Sequence, residues 1–113
     1  MTTKISGGWI LVLVTTPTVE EAETVSRILL EKRLVACVNI VRDVKSLFWW
    51  EGKIDEAREA LLIIKTRIEK LPDIIRSVKE KHSYTVPEII AVPILAGYPE
   101  YLKWLDESTS NKD

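Results

Sequence analysis

Residues 34–54 read "LVACVNIVRDVKSLFWWEGKI", and no other stretch limits the possible folds of this chain so sharply. Its β-branched residues favour a pleated strand, and Glu51-Gly52 suits a two-residue turn, so the sequence predicts a hairpin. A strand from Leu34 to Trp50 would span about 50 Å at roughly 3.3 Å per residue. The body of a domain this size, with a radius of gyration of about 13 Å, is only some 35 Å across. Such a hairpin must project beyond its own domain or bend sharply. Its tip carries Phe48, Trp49 and Trp50, and an exposed patch that apolar marks a contact surface. An arm of this kind predicts an oligomer, with the tip against another subunit.

The 113 residues predict one domain, expected over 9–107, with a loose leader over 1–8 and a polar tail over 108–113. Apolar residues at 46% and charged residues at 29% place the chain among globular proteins. A net charge of −1 gives no electrostatic footprint for nucleic acid or an anionic membrane. The runs "WILVLV" and "ALLII" fall far short of the ~20 apolar residues a membrane helix needs. A single cysteine, Cys37, excludes an intrachain disulfide, and nothing reads as a signal peptide, so a cytoplasmic location is expected. The absence of glutamine and the abundance of Glu, Lys and Ile lean towards a heat-adapted source.

Six consecutive apolar residues, Trp9 to Val14, read as a strand buried on both faces. Thr18 with Glu21 three residues on forms a capping-box signature, and Val19, Ala22, Val25, Ile28 and Leu29 keep helical spacing behind it. After the hairpin turn, "KIDEAREALLIIKTRIEKL" fits both periods. The "LLIIKT" cluster favours a strand that hands over to a helix near Glu69, because Pro72 belongs in a first helical turn. That helix carries Leu71, Ile74, Ile75 and Val78 inward and ends in "KEKH". "VPEIIAVPIL" follows as a strand whose Pro93 demands an edge or a bulge, and "EYLKWLDES" as a short amphipathic helix. The order predicts an α+β, ferredoxin-like βαββαβ sandwich with a long central hairpin and an added C-terminal helix.

His82, the only histidine, stands in "KHSYTVPEII". It suits a metal ligand, with Cys37 and Glu88 as partners, since imidazole with thiolate fits copper or zinc. A general base needs partners that a single histidine does not name, and a ring packed at a helix C-terminus, where the dipole favours its cation, is the commoner arrangement. Tyr84 and Glu88 share parity on an extended segment and would point one way. Cys37 reads as a small buried hydrophobe sooner than as a reactive thiol. Trp49 and Trp50 could stack nucleobases, but the acidic balance makes interface packing the better account. Lys65-Thr66 could reach an anion at a strand end, and no glycine-rich phosphate loop exists.

"ACVNI" (36–40), "WWEGKI" (49–54), "LLIIKT" (61–66), "VPEII" (86–90), "PIL.GYPEYLKWL" (93–105) and His82 together resemble the CutA proteins, which are associated with divalent-cation tolerance. The resemblance runs from about Trp9 to Glu107. It implies a ferredoxin-like homotrimer whose long hairpins pack across subunits, and it makes the ambiguous segment a strand. It also implies contact with copper or another divalent metal, at a site drawn from His82, Cys37 and Glu88. Three departures stand out. "HSYTVPE" replaces the family's frequent "HPYEVPE", "VRD" stands where a Pro-Gly turn often follows "NI", and Thr15-Thr16 occupy a place where some relatives carry a cysteine. Loss of an acid and a thiol weakens any tight metal site.

The function expected from these features is a non-enzymatic homotrimer in metal tolerance, with copper or another divalent ion weakly or transiently bound. Its expected partners are its own copies and divalent metal ions, without nucleic acid or membrane. The alternative is a small-ligand-sensing or regulatory scaffold trimer with clefts between subunits, which rests on fold analogy. A hydrolase or transferase built on Lys65, His82 and Glu88 ranks last, because nothing in their spacing demands chemistry.

Overall fold

The computed structural model describes residues 8–110, so residues 1–7 of the expected leader and 111–113 of the expected tail lie outside the described residues. The elements run β1 (Trp9–Thr16), α1 (Val19–Glu31), β2 (Cys37–Trp50), β3 (Lys53–Arg67), α2 (Leu71–Lys81), β4 (Ile89–Pro93) and α3 (Pro99–Ser108), with a 3₁₀ turn over Ile68–Lys70. The four strands form one antiparallel sheet in the order β2-β3-β1-β4. This is the ferredoxin-like arrangement with one further helix. The sequence with two readings, 53–71, is strand as far as Arg67, because β3 lies between β2 and β1 and pairs with both. Pairing on two sides outweighs the helical preference of its Glu and Ala residues.

One face of the sheet carries the core. Ile10, Val12 and Val14 of β1 and Leu62 and Ile64 of β3 are buried against Ala22, Val25 and Leu29 of α1 and Ile74 and Val78 of α2. Thr18 caps α1 as its spacing predicts, its Oγ1 accepting from the Glu21 N–H at 3.1 Å. Ile75, expected inward, is half-exposed instead, since it lies about 100° around the helix from Ile74. β1 was expected to be buried on both faces, but Trp9, Leu11 and Leu13 are only partly covered. The reason is that α1 and α2 occupy the same face. Only α3 crosses the other, tied there by Trp9 Nε1 donating to Asp106 Oδ1 at 2.9 Å and by Arg67 donating to the Thr109 side chain at 2.8 Å. Most of that open face stays bare in one chain.

The hairpin projects as its length requires. β1 pairs with β3 only over residues 60–67, leaving 53–59 bonded to β2 alone as a two-stranded arm. Glu51 and Gly52 take φ values of 49° and 77°, the left-handed pair that closes a two-residue hairpin in register with strand twist. A bulge between Val41 and Val44 bends the arm, with Asp43 at φ 61°. The molecule reaches 44 Å along its longest axis, with a radius of gyration of 15.0 Å. At the tip, Trp49 is 74% and Trp50 60% exposed, and Phe48, Leu47 and Ile54 are exposed beside them. β4 sits at the sheet edge with Pro93 as its last residue, where a missing N–H costs no ladder bond.

Candidate functional site

The end of α2 places His82 as the sequence suggests. Its backbone N–H still bonds Val78 O at 2.8 Å, while its own φ and ψ have turned extended. The side chain is fully buried. Pairing between β4 and β1 stops at Ile89 opposite Val14, so Thr15 has no β4 partner. The Thr15 carbonyl oxygen lies 2.6 Å from His82 Nε2. A carbonyl can only accept, so Nε2 carries the proton and donates. The Tyr84 N–H donates to Nδ1 at 3.0 Å, so Nδ1 presents its lone pair. Together the two partners define a neutral imidazole with both nitrogens engaged. Glu21 Oε2 stands 3.4 Å from Nδ1 and accepts from the Ser83 N–H at 3.0 Å. One ring thereby joins β1, α1 and the segment between α2 and β4.

Tyr84 extends the network. Its ring packs 4.9 Å from the His82 ring, and its hydroxyl donates to Glu59 Oε2 at 2.9 Å. Burial, then the bond to Glu59 and the charge of that carboxylate, push the Tyr84 phenol up from 10.0 to about 12. The fold thus favours the neutral phenol. Its contribution is whole below pH 10.0 and is lost as pH rises towards about 12. Tyr84 is only partly buried, so the solvent-screened contribution is about 1 kcal/mol. Chemical denaturation of wild type and Tyr84→Phe at pH 9 and pH 12 checks this. The wild type should lose about 1 kcal/mol more than the variant over that interval. Equal losses would mean that the hydroxyl is not held by Glu59.

The other expected metal ligands lie elsewhere. Cys37 opens β2 opposite Lys65, on the open face of the sheet, because Val38 and Ile64 beside them turn into the core. Its half-buried sulfur lies 3.9 Å from Lys65 Nζ and 4.0 Å from Asn39 Oδ1. Lys65 also bonds Asn39, and Tyr101 of α3 reaches the sulfur, its phenol pushed up by burial and then by Cys37. Lys65 pairs with Leu11, four residues before Thr15 on β1. That separation puts Cys37 about 13 Å along the strands from His82 and on the other side of the sheet. Glu88 is exposed just ahead of β4. Bends over 83–86 break the extended run that was expected to align it with Tyr84, whose hydroxyl turns to Glu59 instead.

The three residues therefore do not come together in one chain, and as placed they do not fit a metal ion. Among the described residues, no three His, Cys, Asp or Glu side chains are grouped to hold one. An open cleft of about 250 Å³ lies between the start of α1 and the bulge, lined by Thr18, Arg42, Asp43, Arg58 and Glu59. Arg58 is paired with Asp43 at 2.8 Å and Glu59 with Tyr84, so much of its charge is answered internally. Glu21 was read from sequence only as a capping residue, and Glu59 not at all. The Glu21 N–H donates to the capping Thr18 hydroxyl, but its carboxylate reaches across the fold and accepts from the Ser83 N–H. No helix among the described residues is long and apolar enough to cross a membrane.

The family model described as "CutA1 divalent ion tolerance protein" matches residues 10–108. The divalent-cation tolerance protein CutA of Archaeoglobus fulgidus is 52% identical over 97 residues, covering 86% of this chain and 94% of that one. Its counterpart of the same name in Thermus thermophilus is 48% identical over 99 residues, covering 88% and 96%. A solved structure from Archaeoglobus fulgidus, named as a periplasmic divalent cation tolerance protein CutA, superposes with a TM-score of 0.88 at 49% identity, covering 90% of this chain and 99% of that one. The crystal structure of CutA1 from Oryza sativa superposes with a TM-score of 0.90 at 42% identity, covering 96% and 100%. With a family model matched over residues 10–108, a relative 52% identical over 97 residues and a solved structure superposed over 90% of its length, this chain belongs to the CutA1 divalent ion tolerance family.

Proposed function

We propose that this protein acts in divalent-cation tolerance as a non-enzymatic homotrimer that meets copper or a related divalent ion weakly and transiently. The observation that carries the metal part is the match over residues 10–108 to proteins named for that tolerance. Weak binding is supported by the donors that one chain offers. Cys37 presents a half-buried sulfur on the open face, and Glu88 an exposed carboxylate elsewhere. Fewer than three convergent donors make a poor cage for a transition metal. Self-association is supported by the bare open face and by the exposed Trp49 and Trp50 of the arm.

Calorimetric titration of the protein with copper(II) and zinc(II) near pH 7.5 tests this. The expected Kd is micromolar or weaker, about −8 kcal/mol or less favourable. Nanomolar affinity would overturn the transient mode. Absence of binding up to millimolar metal would overturn direct contact with the ion.

A further inference from the structure

We infer that His82 is not a metal ligand in this protein but the pin that fixes the α2–β4 connection to the end of β1. A metal can bind imidazole only through a free lone pair on a ring nitrogen. His82 has one lone pair, on Nδ1, and the Tyr84 N–H occupies it at 3.0 Å. Its one N–H, on Nε2, is spent on the Thr15 carbonyl at 2.6 Å. The side chain has no exposed surface, so neither bulk metal nor a donor from another subunit reaches it without opening the fold. Every ring contact instead serves the chain's own architecture. Thr15 is the penultimate residue of β1, Tyr84 lies in the connection, and Glu21 on α1 holds the neighbouring Ser83 N–H.

The ring also supplies what the connection lacks. Residues 82–88 form neither helix nor strand, and β4 has not yet begun. The Tyr84 N–H and Thr15 C=O would be left without these partners if the ring were removed, and an unpaired buried polar group is costly. The same ring supports the Tyr84 side chain, which fastens the segment to Glu59 on β3. Loss of the ring should therefore loosen the connection as a unit.

Two substitutions separate a pin from a ligand. His82→Ala removes donor and acceptor together. His82→Gln restores one donor and one acceptor, but its amide is a poor ligand for copper or zinc. Wild type and both variants would be compared by thermal melting, by amide hydrogen exchange at Ser83 and Tyr84, and by copper(II) titration at pH 7.5. The pin predicts that His82→Ala melts lower by about 5 °C or more and exchanges the Tyr84 amide roughly tenfold faster or more. His82→Gln should recover most of both, and all folded forms should share one copper affinity within about threefold. A tenfold or larger loss of copper affinity in His82→Gln, with melting and exchange retained, would make the ring a ligand and overturn the inference. Unchanged melting and exchange in His82→Ala would overturn the pin. Failure of the wild type to bind copper would count against the proposed metal contact, while the exchange comparison would still decide the role of His82. If His82→Ala does not fold, the glutamine variant carries the test alone.

Discussion

Replacing Trp49 and Trp50 with Ser is expected to shift the proposed trimer towards monomer in analytical ultracentrifugation, with little change in the folded body. Trp49 and Trp50 are 74% and 60% exposed in the single chain, and Leu47 and Ile54 beside them are 65% and 67% exposed. Residues 53–59 pair only with β2, so the tip makes no sheet contact with β1 or β4. Among the described residues nothing else in the chain covers it, so its burial would come from another molecule. Covering a large apolar side chain is worth roughly 1.5–3 kcal/mol, so losing two weakens association by about 3–6 kcal/mol per arm. That corresponds to a factor of roughly 10² to 10⁴ in the association constant. The unfolding midpoint extrapolated to dilute protein should hardly move, since neither indole belongs to the core. A monomeric wild type would end the trimer proposal, and a double variant that stays trimeric at micromolar concentration would move the interface from the tip to the open face.

The hairpin shows what a sequence can disclose. Its β-branched run and its Glu51-Gly52 turn are local signals, and the left-handed φ values at both turn residues follow from them. The edge position of β4 was legible for the same reason, because Pro93 cannot donate to a ladder. β3 was not legible from pattern alone. Ile54, Ala57, Leu61, Ile64 and Ile68 fit a helix nearly as well, and only pairing with two neighbouring strands decides the matter. Family resemblance supplied that decision in advance.

The site was half legible. The basic run "KEKH" closing the second helix placed His82 at a helix end, but its partners carry no sequence signal. The Thr15 carbonyl and the Tyr84 N–H are backbone groups, which every residue type but proline supplies alike. Whether Cys37 could join His82 depended on strand register. A slip of one residue would have turned Cys37 into the core, whereas the observed pairing with Lys65 turns it onto the open face. Three metal-competent side chains in a sequence do not make a site until register and face agree.

Leu105→Ala is expected to release α3 without unfolding the sheet. Leu105 has no exposed surface, yet it stands apart from the cluster that α1 and α2 form on the other side of the sheet. α3 has ten residues, too few to persist as a helix without docking. Beyond Leu105 it is held by Trp9 to Asp106 at 2.9 Å and by Arg67 to Thr109, contacts at its C-terminal half. Truncating a buried leucine costs about 2–5 kcal/mol, and here that loss falls on one short element. Tyr101, one turn earlier, bonds the half-buried Cys37 sulfur, so undocking should bare the thiol further. Thiol labelling of Cys37 under native conditions should then accelerate by ~30-fold or more, the equivalent of about 2 kcal/mol of local opening. Amides in the ladder that joins β1 to β3 should keep their slow exchange. If labelling is unchanged, α3 does not shield the cysteine. If instead the core amides speed up as much as the thiol, α3 is part of one cooperative body, and the open face is never free of it.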